Sequence, residues 1–183
     1  MRIYHVELLI STIWMLRIKL PPASRCASIY EESPLLTLLH SCDVIGIDAE
    51  WMPTRKRNES SRIALVQVAC RDECQLHHVH GLPFFPPNLR EVLESPNILK
   101  VGIGIEQDVR KLRFDWGVEV KNYLDLSPLA LEIDPFWSER AYRRGSNIAL
   151  VRLAARYLKR SVDKEQQCSN WENSGLTESQ LTC

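Results

Sequence analysis

The chain lacks an excess of charge of either sign. Its 23 Lys and Arg residues are balanced by 23 Asp and Glu residues, so the formal net charge at pH 7 is zero. A polyanionic partner would therefore have to be held by a local field or by bound cations rather than by a broadly basic surface. Bulk charge argues neither for nor against nucleic acid as a partner.

Long apolar runs are absent too. The run from Leu8 to Leu16 lies between Glu7 and Arg17 and is too short to span a bilayer, and an acid before the run is a poor start for a signal peptide. We expect no membrane association. Internal repeats are not found, and 183 residues suit one core, so we expect an N-terminal extension over 1–28 and one domain over 29–183.

Cysteines are few and scattered. Six of them are spread along a chain large enough to fold without cross-links, which fits a reducing intracellular compartment better than a disulfide framework. Nucleus, cytoplasm and mitochondrion are not distinguished. Cys70 and Cys74, with the three histidines that follow, could be zinc ligands, but no second knuckle is present. We favour two small buried residues flanking a turn.

The hydrophobic pattern predicts strands first and then an alternation of helices and strands. The predicted strands are Val44–Asp48, Ile63–Val68, Gln75–Val79, Leu99–Gly102 and Val118–Leu124. The predicted helices lie around Leu35–Leu39 and over Asn88–Glu94, Ile105–Phe114, Leu126–Glu132 and Asn147–Leu158. This order indicates an α/β fold: a three-layer sandwich with a mixed, mostly parallel five-stranded sheet and helices on both faces.

Two acids close the first apolar strand. Asp48 and Glu50 project to the same side of a strand, with Cα atoms roughly 6 to 7 Å apart. A hard divalent cation such as Mg²⁺ or Mn²⁺ would relieve their repulsion; a solvated strand end with surface acids is the alternative. Asp108 lies one turn into a helix that follows another strand. The preceding G-x-G lacks the third glycine of a dinucleotide loop, and an acid there suits a cation better than a pyrophosphate.

The motifs "IDAEW", "IALVQVA", "LKVGIGIEQDVRKL", "GVEVKNYLDLSPLA", "NIALVRLAARYL" and "VDKEQQCSNWENSGLTESQ" follow one another between Val44 and Gln180. Their order and spacing resemble the DEDD-type 3′-5′ exonucleases related to ribonuclease D and the Werner-syndrome exonuclease. The resemblance implies a ribonuclease H-like fold and two Mg²⁺ or Mn²⁺ ions held by Asp48, Glu50 and Asp108. It also implies hydrolysis of single-stranded DNA or RNA from the 3′ end, with release of nucleoside 5′-monophosphates.

The resemblance breaks at the last motif. Family members continue after "LTESQ" with a helix of the form Tyr-Ala-Ala-x-Asp-Ala, which supplies a water-positioning tyrosine and a fourth metal-binding aspartate. Residues 181–183 do not match it, so we expect a C-terminally incomplete domain, one ion rather than two, and lower turnover. The family favours an enzyme. A non-catalytic nucleic-acid-binding or scaffolding module, or a fragment of a longer exonuclease, is the alternative.

Cationic and aromatic residues near the predicted site could contact the substrate. Trp51 could stack on a terminal base or anchor the core, and the basic loop after it could guide phosphates or be an ordinary solvated loop. A second basic stretch flanks Tyr142. The candidate nucleic-acid contacts are Trp51, Arg55, Lys56, Arg57, Arg143 and Arg144.

Overall fold

The computed structural model describes residues 42–52, 61–70, 73–138, 147–161, 169–173, 177 and 180. The extension over 1–28 and the helix predicted around Leu35–Leu39 lie outside the described residues. No helix in the described ranges is both long enough and apolar enough to cross a membrane.

Five strands form a single sheet. They are β1 (Val44–Glu50), β2 (Leu65–Cys70), β3 (Glu73–His78), β4 (Leu99–Gly102) and β5 (Tyr123–Asp125), in the spatial order β3-β2-β1-β4-β5. β2 pairs antiparallel with both β1 and β3, whereas β4 pairs parallel with β1 and β5. Four strands therefore run in one direction and β2 runs against them. The predicted mixed, mostly parallel sheet is confirmed.

Helices cover both faces of this sheet. They are α1 (Pro87–Glu94), α2 (Ile105–Trp116), α3 (Leu126–Ile133), α4 (Pro135–Ser138) and α5 (Leu150–Leu153), the last continuing as a π-helical turn over Ala154–Leu158. Alternation along β1 sends Ile45 and Ile47 to the face covered by α1 and α2. Val101 of β4 and Leu65 of β2 lie on the other face, with α3 and α5. The predicted three-layer sandwich is confirmed.

The fifth strand is shorter than predicted. Val118 and Val120 are buried like strand residues, but the Val118 amide donates to the Leu112 carbonyl (3.3 Å) and so belongs to the C-terminal cap of α2. Asn122 has a positive φ of 52°, which breaks the extended chain just before β5. Alternating apolar residues packed over a helix end were thus mistaken for a strand.

The helix predicted over Asn147–Leu158 also begins later. The Ile148 amide donates to the Ser127 hydroxyl (2.5 Å), and Ala149 is extended with ψ 144°, so the first helical residue is Leu150. Lys159, in the left-handed region with φ 56°, ends the π-helical turn. A tertiary hydrogen bond outweighed the local helical pattern.

The expectation that the cysteines would be unpaired is wrong for two of them. Cys42 and Cys70 form a disulfide, with Cα atoms 6.7 Å apart. The antiparallel register of β1 and β2 brings the segment just before β1, which contains Cys42, next to the end of β2. Cysteine spacing alone does not reveal this proximity. Cys74, at the start of β3, is a buried free thiol, so the expectation of buried cysteines flanking the turn is confirmed.

Candidate active site at the carboxyl edge of the sheet

β1 carries Asp48 and Glu50 at its C-terminal end. The β1–β2 register places Asp48 opposite Gln67 and Glu50 opposite Leu65, so all four side chains share one face of the sheet. Asp48 is half-buried, and Glu50 is only 7% exposed. The two acids are therefore not a solvated strand end.

α2 brings the third acid to the same edge. β4 runs parallel to β1, with Val101 beside Gly46, and it ends one residue later. Because the carboxyl ends of parallel strands meet at one edge, the chain enters α2 beside the last residues of β1. Asp108 lies in the first turn of α2 on its buried side, 7% exposed.

Two glycines make the turn into α2. A Cβ on Gly102 would lie 2.9 Å from the Cβ of Ile105, so only glycine lets β4 approach the start of the helix this closely. Gly104 caps α2 with φ 68°, a conformation that glycine adopts without strain. Its amide donates to Oδ2 of Asp125 (2.9 Å). These contacts position the turn that carries Asp108.

Asp125 has a structural role at the start of two helices. Its Oδ1 accepts a hydrogen bond from the Ser127 amide (2.9 Å) and caps α3, while its Oδ2 accepts from Gly104. One carboxylate thus joins the N-terminal ends of two helices. With both oxygens engaged by backbone amides, Asp125 supports the site rather than forming part of it.

The thiol of Cys74 lies on the same face as Asp48. Burial and, to a smaller extent, the negative charge of Asp48 together raise the pKa of Cys74 to about 12. The thiol therefore stays protonated at neutral pH and is a poor metal ligand. The zinc alternative gains no support here.

The donor set of this edge is made of oxygen atoms. Within the described ranges, no three or more His, Cys, Asp or Glu side chains are grouped so as to hold a metal ion. Asp48, Glu50 and Asp108 are carried by neighbouring elements, β1 and the helix that follows β4. In chemistry and burial they fit a hard cation, since Mg²⁺ and Mn²⁺ prefer oxygen ligands.

Sequence reasoning missed a network at the back of α2. Nζ of Lys111 lies 2.8 Å from Oδ2 of Asp115 and donates to the Ser61 carbonyl (2.6 Å). The same Asp115 oxygen accepts from the Ile63 amide (2.8 Å). These bonds hold the chain that enters β2 against the helix bearing Asp108. The four-residue spacing of Lys111 and Asp115 was the signal in the sequence.

Trp51 follows Glu50 directly and is half-buried. It packs against the core on the α2 face, and Nζ of Lys111 lies 5.4 Å from the centre of its ring. The other candidate nucleic-acid contacts, Arg55, Lys56, Arg57, Arg143 and Arg144, lie outside the described residues and stay predictions.

Comparison with known proteins gives a consistent result. A family model described as 3′-5′ exonuclease matches residues 29–182. The bifunctional 3′-5′ exonuclease/ATP-dependent helicase WRN of Mus musculus is 35% identical over 164 residues, which cover 86% of this chain and 11% of that protein. The exonuclease 3′-5′ domain-containing protein 2 of Homo sapiens is 32% identical over 175 residues, 91% of this chain and 27% of that protein.

Solved structures agree on the fold. The Nibbler EXO domain of Aedes aegypti superposes with a TM-score of 0.65 at 22% identity, covering 81% of this chain and 73% of that one. NrnC of Brucella melitensis with bound Mg²⁺ gives a TM-score of 0.61 at 18% identity, covering 76% and 63%.

The fold is ribonuclease H-like, as the resemblance implied. The chain spans about a tenth to a quarter of the two curated relatives compared here. The match nevertheless covers nearly all of the predicted domain, from 29 to 182. The chain belongs to the 3′-5′ exonuclease family.

Proposed function

We propose that this chain hydrolyses phosphodiester bonds at the 3′ end of a nucleic acid, with Asp48, Glu50 and Asp108 holding divalent metal. The observation that supports the proposal is the placement of the elements: β1 lies beside the parallel strand β4, which leads into the helix that carries Asp108. Asp48 and Glu50 share a face of β1, and Asp108 is buried in the helical turn that follows the neighbouring parallel strand. Glu50 and Asp108 are each only 7% exposed, and a divalent ion bound beside buried carboxylates stabilises their charged form.

We propose Mg²⁺ or Mn²⁺ as the ion. When bound, such an ion lowers the pKa of a water molecule and neutralises the charge that develops on the phosphate. The chain itself contributes the carboxylates and a largely buried setting, in which electrostatic interactions are stronger than in water. With metal held locally, a chain of zero net charge can act on a polyanion. Calorimetric titration with Mg²⁺ and with Mn²⁺ would identify the ion and count the ions bound per chain.

We propose single-stranded DNA or RNA as the substrate. Trp51 directly follows the metal-binding acids and is half-buried, so part of its ring is available for stacking on the terminal base. The basic residues Arg55 to Arg57, together with Arg143 and Arg144, would bind the phosphates of the strand. Products would be nucleoside 5′-monophosphates.

Asp48→Asn and Asp108→Asn test the assignment. We expect each to lower the rate of 3′-end hydrolysis by about 10² to 10³, in line with the loss of one preorganised charge at a reacting centre. The assay follows 5′-labelled single-stranded DNA and RNA with Mg²⁺ or Mn²⁺. Glu106→Gln is the matched control, because Glu106 lies in the same helical turn as Asp108 but is exposed and paired with Arg110 (2.9 Å).

Full activity in Asp48→Asn would contradict the proposed site. Binding of single strands without any hydrolysis by the wild-type chain, in either metal, would instead identify the non-catalytic alternative. The Glu106→Gln control should hydrolyse both substrates at the wild-type rate.

A further inference from the structure

Gln67 of β2 lies directly opposite Asp48 in the β1–β2 ladder. Opposed residues in an antiparallel pair share a face and have Cβ atoms about 4.5 to 5.5 Å apart. Gln67 is 3% exposed, so its amide is enclosed beside the carboxylates of β1. Neither motif chemistry nor charge pattern singled it out in the sequence.

The amide oxygen of Gln67 is buried, and no hydrogen bond reaches it from the described residues. An unsatisfied buried polar atom costs about 1 to 3 kcal/mol, and buried amide oxygens are normally paired. Gln75 on β3 shows the usual arrangement. It is 1% exposed, and its Oε1 lies 2.9 Å from Nε2 of His77. The two glutamines lie on opposite faces of the sheet, because Gln75 pairs with Val68 rather than Gln67.

An amide oxygen can be satisfied only by a hydrogen-bond donor or a cation. The neighbouring carboxylate of Asp48 is an acceptor when ionised and offers neither. A divalent ion could contact the amide oxygen directly as the cation, and a water molecule bound to that ion could donate a hydrogen bond to it. Amide carbonyls are common partners of carboxylates around hard cations.

We propose that Oε1 of Gln67 is a further oxygen of the metal centre at Asp48 and Glu50, contacting the ion or a water molecule bound to it. The inference rests on the proposed function, since it requires a cation at these acids. Gln67 then acts as a positioning residue for the metal and its water.

The test is calorimetric titration of Mn²⁺ into the whole chain and its variants. Gln67→Met keeps the volume of the side chain and removes the oxygen, and we expect it to raise the Kd for Mn²⁺ about 10- to 100-fold, the usual effect of losing a supporting partner at a metal site. Gln67→Glu adds a charged oxygen at the same place, and we expect it to tighten binding. Gln75→Met is the matched control, because it removes an equally buried amide from the opposite face.

The outcomes separate this inference from the proposed function. No Mn²⁺ binding by the wild-type chain overturns both. Binding that Asp48→Asn abolishes and that Gln67→Met leaves unchanged overturns only the role of Gln67. If circular dichroism shows that Gln67→Met does not fold, an NMR measurement on the wild-type chain tests the proposal instead. Mn²⁺ should broaden the side-chain amide NMR signal of Gln67 at lower metal concentration than that of Gln75, and equal broadening would overturn the proposal.

Discussion

At the scale of single residues, Asp125 connects the site to the rest of the fold. Its two oxygens accept from the amides of Gly104 and Ser127. Asp125→Ser should keep a side-chain cap for α3, because serine is also a good N-cap, and should lose the bond to Gly104. We expect the free energy of unfolding to fall by about 1 kcal/mol, measured by urea denaturation.

Asp125→Ala should cost more, about 2 kcal/mol, because the cap of α3 is lost as well. Glu132→Gln, an exposed change on the same helix, is the control and should leave the midpoint unchanged. Equal stability of the Ser and Ala variants would show that the Ser127 cap contributes nothing.

The placement of single residues was predictable where it follows from the local pattern. Asp48 and Glu50 share a face because a strand alternates, and Asp108 stands at a helical turn after a strand, so both facts could be obtained from the sequence. The position of Gln67 beside Asp48 could not be obtained from the sequence, because it depends on the register that pairs β1 with β2. The Cys42–Cys70 disulfide was missed for the same reason.

At the scale of elements, the β4–α2 turn governs where Asp108 sits. Gly102→Ala would place a Cβ 2.9 Å from that of Ile105, and both atoms are attached directly to the backbone. Relief therefore requires the start of α2 to move away from β4. We expect a loss of about 1 to 3 kcal/mol, the usual cost of overpacking, and weaker Mn²⁺ binding because Asp108 moves with the helix.

Thermal denaturation and Mn²⁺ titration of the same samples check both parts of this prediction. Gly81→Ala is the control: that glycine has φ +76° but open space around it, so the substitution strains the backbone at a distance from α2. It should lower stability without changing metal affinity. A Gly102→Ala variant with wild-type affinity would show that α2 tolerates the shift.

Element boundaries were predictable in long periodic segments and failed in short ones. α2 was predicted over Ile105–Phe114, and the observed helix ends two residues later, at Trp116. The agreement is close because one buried stripe and a terminal glycine specify this helix. A strand was predicted over Val118–Leu124, but the observed strand is Tyr123–Asp125. There the backbone hydrogen bonds go to a helix end instead of a neighbouring strand.

At the scale of the whole molecule, the two ends of the sheet have different chemistry. The carboxyl edge carries the acids, whereas Lys100 of β4 is fully buried toward the amino edge and donates to the carbonyls of Ser95 (2.5 Å) and Ile98 (2.9 Å). Burial and, to a smaller extent, the positive charge of Lys121 together lower the pKa of Lys100 to about 8. Lys100 therefore stabilises the loop after α1 through hydrogen bonds and lies away from the proposed active site.

Stability should depend on pH through the buried side chain of His77 on β3. Burial lowers its pKa to about 4 from an ordinary value of 6.5, and its Nε2 lies 2.9 Å from Oε1 of Gln75. The unfolded chain protonates this histidine first as the pH falls, so the unfolded state binds more protons between pH 6.5 and 4. The stabilisation from neutral His77 is therefore complete above 6.5 and is lost as the pH falls toward 4.

The loss should approach about 3 kcal/mol across that window, and urea midpoints near pH 7.5 and near pH 4.5 would measure most of it. The buried carboxyl of Asp134 titrates below this pH window. Burial tends to raise the pKa of Asp134, but hydrogen bonds from Tyr157, the Phe136 amide and Arg156 lower it below 3.8 overall.

His77→Gln retains an amide that can donate to Gln75 and should flatten the pH dependence, whereas His80→Gln, on an exposed side chain, should preserve it. An unchanged dependence in His77→Gln would show that protonation of another group opens the fold.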